Sequence, residues 1–413
     1  MQRNNPIILN DGQQKILEAA VNWYKKSSEQ VFEIDGAAGT GKSVLIYQIL
    51  NAIHLGPREY YAMAYTGAAS IVMRTKGFPS AKSIHSTLYE TIEIPDYEDK
   101  LSREFGVPKK RYVFQLKAPY AIDPEVKLFF IDEAYMVPKY MVNDILSFGI
   151  KVIACGDAHQ LPPIGDEPGF LTGYNVHHLT QLMRQSENDP IVYLAMRAMN
   201  GLPIHCGNYG NVMVINDDEF IPEMIGYADI VICGTNRTKE SMNSYVRHLA
   251  GFGDYKLPHY GERLICRDNN WQEVIDDIAL ANGLIGTVVN NPDPTKFNSN
   301  IFTFDFKPDL CNAAFHNIRA NYEYFISDTD RKNEIRKEAK EVKYNIGDLF
   351  DFGYCITTHL AQGSEAMDGI YIEEFLRAQT QNQLLYTGIT RFKRSLIYIK
   401  KKNRTFYFPK NPL

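Results

Sequence analysis

The sequence has no long apolar run, no closely spaced cysteines and no excess of positive charge. Nothing in it approaches the ~18 apolar residues of a membrane-spanning helix, and its first residues, MQRNNPIILN, are not typical of a secretory signal. The six cysteines stand too far apart for a zinc finger, so we expect reduced thiols and a cytoplasmic location. The net charge of -5 excludes an overall basic surface, so a nucleic-acid partner would need a local channel.

Short apolar runs alternate with stretches of helical periodicity, and this alternation indicates an α/β fold with parallel sheets. Such runs lie at 31–34, 60–64, 128–131, 152–154, 230–232, 369–372 and 396–399. Because ligands bind beyond the carboxyl ends of parallel strands, we expect the functional residues in the loops that follow these runs. The segments 87–118 and 256–345 interrupt the alternation, so we interpret them as insertions.

The segment VFEIDGAAGTGKSVLIYQIL has the pattern of a strand, a glycine-rich loop and a helix. Within it, Gly36, Gly41, Lys42 and Ser43 match G-x-x-x-x-G-K-[ST], a pattern that binds the phosphates of ATP. Backbone N–H groups would surround the phosphates, Lys42 would neutralise them, and the Ser43 hydroxyl would bind Mg2+. A tight glycine turn without a ligand is the alternative, but the flanking strand and helix favour the phosphate loop. The predicted nucleotide-binding residues here are Gly36, Ala37, Ala38, Gly39, Thr40, Gly41, Lys42 and Ser43.

Two adjacent acidic residues, Asp132 and Glu133, follow the apolar run at 128–131. In ATPases with a phosphate loop, the first such acid holds Mg2+ and the second polarises the attacking water. An apolar run followed by two acids is weak evidence alone, because an exposed strand end is the commoner explanation. After a phosphate loop in the same chain, the pair predicts the metal ligand and the catalytic base of an ATPase.

Further motifs, taken in chain order, resemble those of the superfamily 1 helicases. Gln13 in LNDGQQK resembles the Q motif, and ACGDAHQLPPIG, with Gln160, resembles motif III. The other segments that carry the resemblance are AYTGAAS at 64–70, KSIHS at 82–86, LTQLMRQ with Arg184, CGTNRT at 233–238, TTHLAQGSE at 357–365 and LLYTGITR at 384–391. Their joint order is most similar to the Dda-like and RecD-like helicases of the 5′→3′ branch.

The resemblance implies roles for several residues at the nucleotide. Gln160 would contact the γ-phosphate, and Arg184 and Arg391 would be arginine fingers from a second motor domain that stabilise the transferring phosphoryl group. Gln13 would pair with the adenine. Outside this motif context, each arginine would be a surface ion pair, and Gln13 would be a solvated residue of a first helical turn. The residues that the resemblance places at the nucleotide from across the cleft are Gly363 and Glu365.

The resemblance also implies contacts with single-stranded DNA, since hydroxyl and imidazole groups suit phosphates that carry no sequence information. Helix caps and buried structural hydrogen bonds are the alternative explanations for the threonines and histidines. Tyr65 and Leu360 stand where the family often has proline and lysine, so one expected cation near the DNA or the nucleotide is missing. The predicted DNA contacts are Thr66, His85, Thr235, Asn236, Thr358 and His359.

The architecture that the resemblance implies is two RecA-like motor domains with two insertions. The first domain would comprise 1–86 and 119–180, and the second 181–255 and 346–413, with ATP in the cleft between them. The segment 256–345 would form an SH3-like β-rich insertion, in which ANGLIGTVV resembles a strand of the family. The position of the segment 87–118 directly after KSIHS and its strand-like flanks predict a β-hairpin or small subdomain that acts as a wedge. A solvated surface loop whose aromatic rings pack on the motor core is the alternative. The candidate rings are Tyr89, Tyr97, Phe105, Tyr112 and Phe114.

Together these features predict an ATP-dependent DNA helicase or translocase that moves 5′→3′ on single-stranded DNA and separates duplex, with ATP and Mg2+ as cofactors. The expected partners are single-stranded DNA, duplex junctions, and replication, repair or recombination proteins. The protein would be a monomer in the cytoplasm of a bacterial or phage-infected cell. The alternatives are a translocase that does not separate duplex, an ATP-switched loading or remodelling factor, and a motor subunit of a nuclease complex.

Overall fold

The computed structural model describes residues 9–96, 109–173, 175–183, 188–276, 278–292, 300–341, 346–375 and 380–401. Among these residues, no helix is long and apolar enough to cross a membrane.

The helices are α1 Asp11–Lys26, α2 Lys42–Ala52, α3 Gly67–Thr75, α4 Ile84–Leu88, α5 Lys139–Ser147, α6 Pro190–Met199, α7 Asn236–Leu249, α8 Tyr322–Ile326, α9 Thr329–Glu341 and α10 Gln381–Ile389. The strands are β1 Val31–Gly36, β2 Tyr60–Ala64, β3 Lys82–Ser83, β4 Tyr89–Asp96, β5 Lys109–Leu116, β6 Leu128–Asp132, β7 Lys151–Gly156, β8 Val176–Leu179, β9 Gly207–Asn208, β10 Val212–Asn216, β11 Ile230–Cys233, β12 Arg263–Cys266, β13 Asn270–Ile275, β14 Ile278–Leu280, β15 Ile285–Val288, β16 Ile301–Pro308, β17 Phe315–Asn321, β18 Phe350–Phe352, β19 Cys355–Thr357, β20 Ala366–Ile372 and β21 Phe392–Lys400.

The first motor domain is built on a parallel sheet with the strand order β3-β2-β6-β7-β1-β8. Its strands are continuous apolar runs because helices cover both faces. On one face, Phe130 of β6 packs with residues of α1 and α2, and on the other face Phe129 and Ile131 pack with α4 and α5. Since β6, β7 and β1 are neighbours, the loops that follow their carboxyl ends lie side by side.

The second motor domain is built on a sheet with the order β19-β11-β20-β21-β10-β9, parallel except for the β9–β10 pair. Tyr371, Tyr386 and Tyr398 are fully buried in its core, together with residues of α6 and α10. The prediction of an α/β fold with two domains built on parallel sheets is confirmed.

The β-rich insertion contains an antiparallel sheet with the order β17-β16-β15-β12-β18. Its core is rich in phenylalanine, and Ile71 of α3 packs into it from the first motor domain. The sheet extends beyond the predicted boundary at 345, because β18 pairs with β12 through Leu264 and Phe352. The prediction that the second motor domain resumes at 346 is therefore wrong, and its sheet resumes with β19.

The described part of the segment 87–118 contains an antiparallel hairpin, in which β4 pairs with β5 from Tyr89 and Leu116 to Asp96 and Lys109. At its base, the Tyr89 hydroxyl donates to Asp144 Oδ2 of α5 at 2.6 Å. Phe114 is 42% exposed and meets Trp271 of β13 edge-on, with ring centroids 5.6 Å apart. The hairpin thus stands between the first motor domain and the β-rich insertion. Three of the predicted rings, those of Tyr97, Phe105 and Tyr112, are not among the described side chains.

Candidate functional site

The loop between β1 and α2 has the shape of a phosphate cradle. Gly39 and Gly41 have φ angles of 83° and 79°, in the left-handed region that glycine adopts without strain. A Cβ at Gly41 would lie 2.6 Å from Gln13 Nε2, and one at Gly36 would lie 2.7 Å from Thr40 Oγ1. Helix α2 begins after Gly41 without a side-chain cap, so the N–H groups of its first turn can bind an anionic phosphate chain.

Lys42 and Ser43 occupy the first turn of α2, where the motif predicts them. The Lys42 ammonium donates to the carbonyl oxygens of Gly36 at 2.5 Å and Ala37 at 3.2 Å, and these contacts hold it over the loop. Hydrogen bonds between two charged groups are stronger than bonds to a neutral carbonyl, so a phosphate would draw the ammonium away from these partners. The placement fits the predicted roles of both residues, which stay predictions.

Gln13 is fully buried and ties α1 to the phosphate loop. Its Nε2 donates to the Thr40 carbonyl at 3.0 Å, and its Oε1 accepts the backbone N–H of Asn10 at 3.0 Å. Both ends of the amide are therefore engaged, and the adenine contact stays a prediction. Met183 closes the same side of the loop, because its backbone N–H donates to the Gly39 carbonyl at 2.9 Å. Its neighbour in the sequence, the predicted arginine finger Arg184, lies outside the described residues.

The acid pair stands at the end of β6. Glu133 has a left-handed backbone with φ 51°, a conformation that costs a non-glycine residue about 1–3 kcal/mol and that clusters at functional sites. Burial and the adjacent Glu133 charge raise the pKa of Asp132 to about 6, against the opposing effects of Lys76 and Lys42. A bound cation stabilises the ionised form of a carboxyl group that burial and a neighbouring charge disfavour. Asp132 therefore fits the predicted Mg2+ site.

Arg391 reaches from the second motor domain to the predicted catalytic residues of the first. Its Nη2 donates to Gln160 Oε1 at 3.1 Å, and its Nη1 lies 3.7 Å from Glu133 Oε1. The guanidinium is buried, and the carbonyl oxygens of Thr387 and Ser364 accept from it at 3.1 and 3.4 Å. The structure therefore brings three of the predicted catalytic side chains together from both sides of the cleft.

Sequence reasoning missed Tyr386, which joins the second motor domain to the phosphate loop. Its hydroxyl donates to Asp157 Oδ2 at 2.5 Å and accepts the backbone N–H of Ala38 at 2.7 Å. The side chain is fully buried, and burial together with the Asp157 charge raises the pKa of the phenol, so it remains a donor. The signal available in the sequence was its place in LLYTGITR, the motif that ends in Arg391.

Leu161, which follows Gln160, is held by two further residues that sequence reasoning missed. Its backbone N–H donates to Thr387 Oγ1 at 3.0 Å, and its carbonyl accepts from Gln362 Nε2 at 2.8 Å. Both partners come from the second motor domain and both are buried. The loop after β7 is therefore a connection between the domains as well as part of the nucleotide site.

Gly363 and Glu365 lie at the domain boundary but face α3 and two lysines. A Cβ at Gly363, whose φ is 76°, would lie 2.7 Å from the Ala69 Cβ. Glu365 pairs with Lys76 at 2.7 Å and with Lys393 at 3.1 Å. Although burial raises the pKa of Glu365, these two cations lower it to about 2. Lys76 also acts electrostatically on Asp132, so Glu365 lies near the acid pair, and the prediction that it borders the nucleotide stays a prediction.

Helix capping and burial account for the threonines that were predicted to touch DNA. Thr66 and Thr235 are the N-caps of α3 and α7, and their hydroxyl oxygens accept backbone N–H groups at 3.1 and 3.3 Å. Thr358 is fully buried and donates to the Cys233 carbonyl at 3.2 Å, so the prediction that its hydroxyl contacts DNA is wrong. Asn236 is exposed in the first turn of α7, and its DNA contact stays a prediction.

His85 lies in a cluster of aromatic rings between the hairpin and the β-rich insertion. Its ring centroid is 5.3 Å from Tyr89, 5.6 Å from Phe114 and 5.9 Å from Trp271. Burial lowers the pKa of His85 to about 4, and it also lowers the pKa of His359, so both are neutral at pH 7. A cavity of about 420 Å3 opens at this ring cluster. Neutral rings around a cavity suit the stacking of unpaired bases.

Several solved structures that share this fold are Pif1 helicases. A structure of two coordinating Pif1 helicases at forked double-stranded DNA matches with a TM-score of 0.55 and 17% identity, over 97% of this chain and 93% of that chain. A Pif1 helicase from Bacteroides in complex with ADP-AlF3 and ssDNA matches with a TM-score of 0.54 and 17% identity, over 98% and 95%. The Pif1 helicase from Candida albicans matches with a TM-score of 0.51 and 15% identity, over 96% and 95%. The fold and the site define a protein of two parallel-sheet α/β domains with a phosphate loop at their boundary.

Sequence comparisons agree with this class. The family model described as an AAA domain matches residues 8–203. An uncharacterised protein from Methanocaldococcus jannaschii is 24% identical over 92% of this chain and 37% of its own length. The ATP-dependent DNA helicase Pif1 of Bdellovibrio bacteriovorus is 31% identical over 34% of this chain and 30% of its own length, so the chain spans about a third of the length of these curated relatives. The chain shares the fold of these Pif1 helicases, and the resemblance to the superfamily 1 helicases drawn from its motifs is confirmed.

Proposed function

We propose that this protein is an ATP-dependent DNA helicase or translocase that moves 5′→3′ on single-stranded DNA and separates duplex. The observation that carries the proposal is the contact of Arg391 with both Gln160 and Glu133 across the cleft. Such a contact makes the closure of two motor domains depend on the nucleotide between them. The similar proteins described as Pif1 helicases, with ADP-AlF3, ssDNA or forked DNA, support the substrate class.

The proposed cofactors are ATP and Mg2+, and the residues present fit both. When bound, they would supply the phosphoryl group and a cation that neutralises the charge that develops on it. The glycine-rich loop and Lys42 would hold the phosphates, while Ser43 and Asp132 offer the oxygen ligands that Mg2+ prefers. Glu133 is positioned next to them and would orient and polarise a water molecule.

Movement would follow from the contacts that the segment 386–391 makes with the first motor domain. Tyr386 contacts the phosphate loop, Thr387 contacts the loop after β7, and Arg391 lies between Gln160 and the acid pair. All three residues therefore respond together when the cleft closes on a nucleotide and opens after hydrolysis. If the two domains alternate their grip on a strand, each cycle advances the protein along it.

Single-stranded DNA and duplex junctions are the proposed partners. The ring cluster around His85 and the exposed Asn236 support contacts that tolerate any base sequence. The direction 5′→3′ rests on the resemblance of KSIHS, GDAHQLPPI and the β-rich insertion to the RecD-like branch. We extend the proposal to a monomer that works with replication, repair or recombination proteins in the cytoplasm of a bacterial or phage-infected cell.

The hairpin of β4 and β5 is the proposed wedge that parts the duplex. It leaves the first motor domain directly after α4, next to the ring cluster, and it carries the exposed ring of Phe114. Stacking a base on an aromatic ring is worth about 1–3 kcal/mol, and one DNA stacking step averages ~1.4 kcal/mol. A single well-placed ring would therefore offset much of the cost of opening one base pair.

ATP turnover measured against the concentration of a single-stranded oligonucleotide, at two salt concentrations, tests the proposal. We expect strong stimulation by oligonucleotides of unrelated sequence, with an affinity that falls as salt rises, because phosphate contacts release counterions. Glu133→Gln is the control, because the ATP turnover that this variant loses is the turnover of the proposed site. A rate that is indifferent to DNA would favour the ATP-switched loading or remodelling factor.

A further inference from the structure

Four cationic side chains surround one buried carboxylate where the second motor domain meets the β-rich insertion. Asp351 of β18 lies 2.7 Å from Lys332 Nζ, 3.2 Å from Lys239 Nζ and 3.3 Å from Arg267 Nε. Arg336 Nη2 lies 4.0 Å from the same carboxylate. We name these five residues the Asp351 cluster.

The charges of the Asp351 cluster do not balance. The side chains of Lys239, Arg267 and Asp351 are 5%, 8% and 5% exposed, and those of Lys332 and Arg336 are 15% and 30% exposed. Within the described part of the chain, none of the four cations pairs with another carboxylate. Buried cations are costly unless anions compensate them, and here a single negative charge faces four positive ones.

Nearby acidic groups are engaged with other partners. Glu240 accepts the Thr329 hydroxyl at 2.5 Å, and Glu323 pairs with Arg331 at 2.7 Å. Asp351 is itself surrounded, because Lys239, Lys332 and Arg267 lower the pKa of its carboxyl well below the usual range in spite of its burial. The carboxylate is therefore ionised, and among the described residues it is the one carboxylate that contacts the four cations directly.

Several buried donors of the Asp351 cluster make no well-aligned hydrogen bond among the described residues, although the Tyr324 hydroxyl lies beside Arg267. They are Nε and Nη1 of Arg267 and Nε of Arg336. Arg267 is more than nine-tenths buried, and its Nε approaches Asp351 without making a hydrogen bond. The ring of Tyr324 lies on the same side, 5.4 Å from Lys332 Nζ and 5.6 Å from the Arg336 guanidinium carbon. Guanidinium groups with unused N–H donors match the oxygen atoms of phosphate.

We propose that the Asp351 cluster binds an oxyanion of the phosphoryl class, which enters beside the partly exposed Lys332 and Arg336 and accepts from the unused donors. Lys239 belongs to α7 of the second motor domain, whereas Arg267 and Asp351 belong to the β-rich sheet. The anion therefore fastens the β-rich insertion and helix α9 to the second motor domain. Its source is either inorganic phosphate or a backbone phosphate of the strand in the proposed function.

Thermal melting tests the site, with sodium phosphate compared with sodium chloride at equal ionic strength. The background is Lys42→Ala, which weakens phosphate binding at the nucleotide loop. We expect the melting temperature to rise by about 1–2 °C for each tenfold increase in phosphate above its dissociation constant. Adding Arg336→Gln should abolish this rise in melting temperature. Lys337→Gln removes an exposed charge from the same helix and should preserve the rise.

The absence of a phosphate-specific rise, or a rise that survives Arg336→Gln, would overturn the proposal. Crystals soaked in tungstate give a second readout that does not depend on a folded variant. Electron density between Arg267 and Arg336 is expected, and its absence at saturating tungstate counts against the site.

Fluorescence anisotropy of a labelled single-stranded oligonucleotide separates the two sources of the anion. If the strand supplies it, Arg336→Gln weakens oligonucleotide binding severalfold relative to Lys337→Gln, and inorganic phosphate competes. If free phosphate supplies it, the two variants bind the oligonucleotide equally and differ only in phosphate-dependent melting. Failure of every variant to bind DNA would contradict the proposed function but leave the melting result, and so the anion site, intact.

Discussion

Tyr386→Phe removes a hydroxyl that makes two hydrogen bonds across the cleft, one to the Asp157 carboxylate and one from the Ala38 N–H. A bond to a charged group contributes about 1.5–3 kcal/mol and a neutral bond about 1 kcal/mol, so the closed arrangement loses roughly 2.5–4 kcal/mol. At ~1.4 kcal/mol per tenfold change, the equilibrium between closed and open cleft shifts by roughly 60- to 700-fold. Asp157 keeps its contact with His159, so we expect the lower end of this range.

The assay for Tyr386→Phe is steady-state ATP turnover in saturating single-stranded DNA. The nucleotide binds the closed cleft, so the apparent affinity for ATP falls when fewer molecules are closed. We therefore expect KM for ATP to rise at least about tenfold. Tyr371→Phe is the matched control, since this buried hydroxyl donates to the Leu384 carbonyl within the second motor domain. If the two variants have the same KM, Tyr386 does not couple the domains.

Three further predictions test separate parts of the site. Glu133→Gln should retain ATP binding while turnover falls by about 10²–10⁴-fold, as measured by equilibrium nucleotide binding and steady-state ATPase; near-normal turnover would remove Glu133 from the role of base. Replacement of residues 92–110 by a short Gly-Ser turn should preserve DNA-stimulated ATPase and abolish strand separation; unchanged unwinding per ATP would show that the hairpin is not the wedge. Glu365→Gln should lower the melting temperature at pH 7. Because the pKa of Glu365 falls from its ordinary value of 4.5 to about 2 on folding, its stabilisation is present above pH 4.5 and is lost as the pH falls towards about 2. The two melting temperatures should therefore converge below pH 4.5, and a difference that does not change with pH would contradict the ion-pair explanation.

The α/β fold and the phosphate loop could be predicted because their determinants are contiguous in the sequence. The apolar run at 128–131 forms β6 of a parallel sheet, and the run before Gly36 forms β1. Since these strands and β7 are close in one sheet, the loops after them meet at one edge. Arg391 could be predicted only through the family resemblance, because nothing local distinguishes it from a surface arginine.

The contacts of single side chains could not be predicted, because their partners come from distant parts of the chain. Tyr386 bonds to Asp157, and Glu365 bonds to Lys76, in each case across the boundary between the motor domains. Thr358 is buried because β19 pairs with β11 inside the second sheet, which a short hydroxyl-containing motif does not reveal. Side-chain environment is a property of the packed domains, whereas a motif records only the order of residues.

The most direct test of the central claim is strand separation on two duplexes that differ only in the tail, one with a 5′ single-stranded tail and one with a 3′ tail. We predict ATP-dependent unwinding from the 5′ tail by the wild type and its loss in Arg391→Gln, which removes the contact with Gln160 and Glu133. ATP turnover without separation of either duplex would favour a translocase or a switched loading factor. Efficient unwinding from the 3′ tail alone would contradict the proposed direction while leaving the ATPase site intact.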